Sequence, residues 1–181
     1  MSLSVKERGT AVATHRHVMV RLMETLARWV PTTPEMEVKL LFGSHIWDVA
    51  QHADALGKRT HELRMPLQHS LPPVQEYREL LDEVDAISDT GSRIAAFYDA
   101  LLPGIDARLR AYLELTDDLM DGPTVRIVDR ILYDHARMIR EGEQLRAEFP
   151  ALGPKPGSLT GLRSREERLG YLDGGSEARA S

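Results

Sequence analysis

The chain has no cysteine, which removes disulfides, thiolate metal ligands and a cysteine nucleophile from consideration. It also lacks any apolar run near the roughly 18 residues of a membrane span. The opening stretch MSLSVKERGTAVATHRH has no apolar segment of the kind a secretory signal needs, so a cytoplasmic location is expected. Lysine is scarce, at 4 of the 23 basic residues, and the arginine, alanine and leucine bias suggests a bacterial source. No basic block lies beside stacking aromatics, and the net charge is −5, so neither nucleic acid nor a membrane is an expected partner. Missing too are a glycine-rich phosphate loop, a Gly-x-Ser-x-Gly elbow and a dinucleotide fingerprint.

What remains is an ordinary globular composition, 42% apolar and 28% charged over 181 residues, enough for one well-buried core. Four long segments carry helical periodicity and none alternates like a strand, so the expected fold is all-α. The first helix is expected from about Thr10 to Val30, with Val12, Val18, Met19, Leu22, Leu26 and Trp29 on its apolar face. The second is expected from Pro34 to about Arg64, with Thr33 as its cap. A polar crossover (Met65 to about Val74) leads to a short helix over Gln75 to Val84. A third helix, opening at Ser88 or Asp89, runs to about Met120 and should be kinked or interrupted at Pro103-Gly104. The turn Asp121-Gly-Pro-Thr124 should start the fourth helix, which ends near Phe149. Residues 1–150 thus read as an antiparallel four-helix bundle domain with one long crossover. Residues 151–181 read as a polar tail with at most a short helix over Ser164 to Leu169 and no part in the core.

The second helix is the informative one. At about 100° per residue, Val38, Leu41, His45, Asp48, His52, Ala55, Leu56 and Arg59 share a face. The other faces are apolar as well, which predicts a central, buried helix. Ionisable groups on its inner stripe need partners, because unpaired buried charge is costly. They form either a structural hydrogen-bond network or a polar pocket for a small substrate or a metal. The fourth helix reads Val125, Val128, Leu132, His135, Ile139, Gly142 along its stripe. An offset of 87 residues aligns it with the second helix, setting Asp48 against His135 and Gln51 against Met138. His15, His17, His61 and His69 are expected at the surface or at helix ends.

The segments Leu41-Phe-Gly-Ser-His-Ile-Trp-Asp-Val-Ala-Gln-His-Ala-Asp-Ala-Leu56 and Asp121-Gly-Pro-Thr124 to Met138 resemble bacterial ferritin-like domain proteins. The resemblance covers roughly residues 10 to 148. It implies a bundle whose second and fourth helices each supply a Glu-x-x-His pair to two irons, with one glutamate each from the first and third. The chain departs from that pattern. The matching positions are Asp48-x-x-Gln51 and His135-x-x-Met138, and Glu-x-x-His occurs nowhere. Iron is thus the cofactor the resemblance implies, without its standard ligand set. An altered metal site would draw on Glu24, Asp48, Glu114 and His135, with Glu24 sharing a stripe with His17 and Arg21. The alternative is metal-free acid–base chemistry by Asp48, His135, His52 and His45, in a substrate pocket lined by Glu24, Trp47, Gln51, Glu114 and Met138.

The expected function is a small-molecule enzyme of specialised metabolism. An iron-dependent oxygenase or oxidase and a non-catalytic binding or assembly protein stand as alternatives. The broad apolar faces of the first and third helices would suit a homodimer.

Overall fold

The structure, a computed structural model, describes residues 3–154, 161–170 and 172. The described residues form helices joined by turns and loops, with no strand among them. Helix α1 spans Val5–Thr32 and α2 Met36–Glu62. The crossover carries α3, Gln75–Asp85. A third rod is continuous but changes pitch, from α4 (Thr90–Ala95) through a π-helical turn (Ala96–Leu101) into α5 (Leu102–Leu115). Helix α6 spans Asp118–Glu148, and α7, Leu162–Arg168, follows near the C-terminus. No helix among the described residues is long and apolar enough to cross a membrane.

Local chemistry sets the ends of these rods. Ser4 and Glu7 cap α1 reciprocally: Ser4 Oγ accepts from the Glu7 amide and Glu7 Oε2 from the Ser4 amide, at 3.3 and 2.8 Å. Asp89 caps α4 through the Ser92 amide, as the sequence suggests. Thr33 does not cap α2. It closes α1 instead, with Oγ1 donating to the Trp29 carbonyl and accepting from Arg93. A single short turn, Asp118–Met120 capped by Asp117, precedes the Asp121-Gly-Pro-Thr124 turn; the backbone leaves helical geometry at Asp121 (φ −133°), and the long part of α6 starts there, as expected.

Bonds between rods give their directions. Leu3 at the start of α1 meets Leu115 at the end of α5, while Trp29 and Thr33 at the other end of α1 meet Arg93 in α4. Helix α1 is therefore antiparallel to the third rod. Helix α2 runs parallel to that rod, since Glu35 bonds Thr90 and His45 bonds Tyr98. Helix α6 opposes both, through Asp121 to Arg59 and Tyr112 near its start and Glu141 to His45 near its end.

The apolar face read for α1 is buried as expected, from Val12 to Trp29. With Phe42, Leu56, Tyr77, Phe97, Tyr98 and Ile131 it forms one core, in which each fully buried large apolar side chain is worth roughly 1.5–3 kcal/mol. Helix α2 is not buried all round: Leu40 and Trp47 are each 68% exposed. Its buried stripe follows Val38, Phe42, His45, Val49, His52, Leu56 and Arg59: it keeps five residues of the stripe read from sequence but takes Phe42 and Val49 in place of Leu41 and Asp48. The apolar faces of α1 and the third rod point into the core, and the large exposed apolar side chains sit mainly on α2 (Met36, Leu40, Trp47) and α6 (Leu119, Met120, Tyr133) rather than where a dimer face was expected. The C-terminal segment also departs from expectation. Leu162 and Leu172 join the core, and Glu166 is fully buried.

Candidate functional site

The core between α2 and α6 holds three buried histidines, and each meets a carboxylate from another element. His45 is satisfied on both sides: Nε2 lies 2.7 Å from Glu141 Oε2 and Nδ1 lies 2.8 Å from the Tyr98 hydroxyl. A carboxylate only accepts, so Nε2 donates to Glu141 and Nδ1 accepts a hydrogen bond from the Tyr98 hydroxyl. Burial lowers the His45 pKa despite the Glu141 hydrogen bond. The Tyr98 phenol is pushed up, first by burial and then by the Glu141 charge. Nothing on the His45 ring is left over for a ligand.

His52 and His135 differ. His52 Nε2 lies 3.1 Å from Asp134 Oδ2, and His135 Nδ1 lies 2.6 Å from Asp106 Oδ1. The same logic places the ring proton of each on its carboxylate side, leaving His52 Nδ1 and His135 Nε2 as bare lone pairs. Both of these atoms are buried, and neither has a hydrogen-bond partner among the described residues. The rings meet edge to face with centroids 5.4 Å apart. Burial, then the neighbouring His135, lowers the His52 pKa to about 4 against the support of Asp134. Two imidazoles braced by carboxylates, each with its free nitrogen inside the core, make a pair of proton acceptors.

Arginines tie this interior to the surface. Arg130, 73% exposed, holds Asp134 at 2.7 Å, and Arg137 reaches Asp48 at 2.7 Å and Glu141 at 3.2 Å. Burial would raise the Asp134 carboxyl, but hydrogen bonds from Arg130 and His52 hold it below its ordinary range. Below this layer lies a separate lock. Asp121, with no exposed surface, accepts from Arg59, Thr124, Tyr112 and Thr116 within 2.9 Å. Both carboxylate oxygens are filled, so this cluster fixes the α6 kink and has no free valence for a ligand.

The expected site residues therefore separate. The structure brings His45, His52 and His135 into the core, with Met138 buried three residues after His135 on α6. Asp48 is turned to Arg137, and Trp47 and Gln51 are exposed on the outside of α2. Glu114 is exposed, and Glu24 is 43% exposed beside Arg21, so neither lines an interior pocket. The partners that matter, Asp106, Asp134, Glu141 and Tyr98, carried no signal in the sequence, because periodicity does not say which residues of distant helices meet. As expected, His61 is exposed at the end of α2; His15 and His17 are half-buried on α1.

A carboxylate-bridged pair of irons needs carboxylates from all four helices around one space. Glu24 and Glu114 face outward, Asp48 is committed to Arg137, and Met138 offers only a thioether. Among the described residues no three His, Asp or Glu side chains converge in a way that could hold a metal ion. The residues do not fit a di-iron centre, and the altered set Glu24, Asp48, Glu114 and His135 is not assembled.

A second candidate site lies outside the expected ones. A cavity of about 490 Å³ opens between α5 and α7, lined by Ala100, Pro103, Gly104, Ala107, Arg108 and Ala111 on one side and α7 side chains on the other. Glu166 of α7 is seated at its wall, where it is bonded to Arg108 and lies 3.4 Å from the Tyr77 hydroxyl. Burial raises the Glu166 pKa even against the Arg108 charge.

No family model matches the chain, and neither a curated protein nor a solved structure matches it.

Proposed function

We propose that the chain is a ferritin-like bundle that has exchanged iron chemistry for metal-free acid–base chemistry on a small organic substrate. The fold part is supported by the order of helix directions: two antiparallel pairs joined by one long crossover. The functional part is carried by one observation, the unpartnered nitrogens of His52 and His135 in a buried site. Buried acceptors left unsatisfied cost about 1–3 kcal/mol each, so a fold that keeps two of them together keeps them for use.

In this reading a substrate hydroxyl or amine gives its proton to one of the two nitrogens, and the same imidazolium returns that proton elsewhere on the same molecule, so each ring ends the cycle neutral. Asp134 and Asp106 are positioning residues. Each holds its imidazole in the tautomer that faces the free nitrogen inward and stabilises the ring once it is charged. His45, satisfied on both sides, belongs to the scaffold.

The test is comparative. Purified protein is incubated with fractionated small-molecule extracts, and compounds consumed are read by mass spectrometry against His52→Ala and His135→Ala. At least one compound should be consumed by the wild type and spared by both variants. If every conversion survives both changes, the histidine pair is not the site.

A further inference from the structure

We propose that the cavity between α5 and α7 binds a small apolar molecule carrying one neutral hydrogen-bond donor, an alcohol or phenol, which Glu166 accepts. The inference is independent of the histidine pair. Asp106 of α5 is turned to His135 on α6, whereas Ala107 and Arg108 are on the face turned to α7.

Three features argue for a built site. The first is the wall. Ala100, Pro103, Gly104, Ala107 and Ala111 recur at three- and four-residue spacing, so one whole helical face has been kept short where a neighbouring element lies across it. Side chains of ordinary size would fill a space of about 490 Å³. At this volume and with a mostly apolar lining it falls in the range of small-molecule pockets.

The second is the notch at Gly104. A Cβ at this position would sit 1.5 Å from Glu166 Oε2, so the carboxyl group occupies space only a glycine leaves open. The third is the carboxyl itself. Glu166 has no exposed surface; Oε1 is taken by Arg108, and Oε2 has no partner among the described residues. A buried acceptor at the wall of an apolar cavity is the kind of polar group that orients a ligand.

Charge decides the class of donor. The Arg108 guanidinium is packed on the Tyr77 ring, 5.0 Å from its centroid, and already neutralises Glu166. A ligand ammonium would bring a second cation beside Arg108 with no spare negative charge to meet it. A carboxylate would face Glu166. A neutral hydroxyl donates to Oε2 without adding charge. At the mouth, Arg163 and Glu167 pair with each other at 2.9 Å and leave no net charge there either.

The experiment uses the full chain and three probes on one skeleton: cyclohexylmethanol, cyclohexylmethylamine and cyclohexanecarboxylate. Titrations followed by amide NMR should show saturable shifts with the alcohol, centred on Gly104, Ala107 and Gly170. The amine and the carboxylate should bind about tenfold or more weakly, the factor that one mismatched buried group costs. Ala107→Phe, which fills the cavity, should abolish the response. No saturable shift with any probe would overturn the site. Equal or tighter binding of the amine or the carboxylate would overturn the role given to Glu166. Shifts located elsewhere, or alcohol binding that survives Ala107→Phe, would overturn the placement; the wild-type shifts locate the site even if that variant fails to fold.

Discussion

At the scale of single residues, the core histidines divide by their hydrogen bonds rather than by their burial. His45 and His135 are both fully buried, yet one is saturated and the other keeps a bare nitrogen. His52 yields a pH prediction. Facing Asp134 and His135 from α6 and Asp48 on its own helix, it is held neutral down to about 4 from an ordinary value of 6.5, first by burial. Between those values the unfolded chain takes up a proton that the folded ring refuses. Stability therefore falls as pH drops through this window, by roughly 3 kcal/mol. Urea denaturation across the window should show that loss, and His52→Gln should shrink it. The ring resonances of His52 should stay unchanged down to about pH 5; titration near 6 would refute the assignment. The histidines were legible because a 100° period places positions 45 and 52 together. Asp48 was misread because the buried stripe of α2 runs through Phe42 and Val49, which shifts position 48 toward the rim. Asp106, Asp134 and Glu141 were not legible at all, since each is meaningful only through a partner 29 to 96 residues away.

At the scale of elements, the third rod shows how a disfavoured residue is absorbed. Pro103 removes one backbone donor and crowds the preceding turn, and the sequence predicts a kink or an interruption there. The interruption is a π-helical turn over Ala96–Leu101, just before the proline. That turn carries Tyr98 to His45 and Asp99 to Arg146 on α6. The Tyr98 ring then lies so close to α6 that a Cβ on Gly142 would meet its Cδ2 at 2.7 Å. Helix propensity alone makes any glycine-to-alanine change in a helix favourable by about 1 kcal/mol. At Gly142 the clash opposes it, and overpacking of a core typically costs 1–3 kcal/mol. Gly43, on the open side of α2 with no atom within 4 Å of its would-be Cβ, has no such opposition. Gly142→Ala should therefore lower the melting temperature and Gly43→Ala should raise it. Two shifts of the same sign would mean that the Tyr98 contact is not tight. The start of α4 was legible from its cap Asp89, whereas the Ser4–Glu7 box went unread, so α1 begins at Val5 rather than near Thr10. The Gly-Pro turn at Asp121 to Thr124 marked the start of the long part of α6, but the extra turn capped by Asp117 before it was not read.

At the scale of the whole molecule, four rods and a crossover follow from periodicity and breaker residues. The docking of the C-terminal segment does not. Its composition is that of a solvated tail, and α7 is seven residues long, too short to show an apolar stripe. What holds it is a buried ion pair seated in a glycine notch, reinforced by Arg165 on Glu83 of α3. This fastening is local, so it should be separable from the stability of the bundle. Gly104→Ala improves the propensity of α5 while occupying the space of the Glu166 carboxyl. The variant should keep the melting temperature of the bundle within a few degrees yet release α7. Trypsin should then cut after Arg163, Arg165 and Arg168 well before the core is attacked, whereas in the wild type these bonds are protected by docking. An unchanged cleavage rate would mean that Glu166 finds another seat and that the notch is not what fastens the segment. Earlier cleavage with an equally early loss of the core would mean that α7 is part of the cooperative unit, and that the bundle depends on the segment whose sequence least resembles a core.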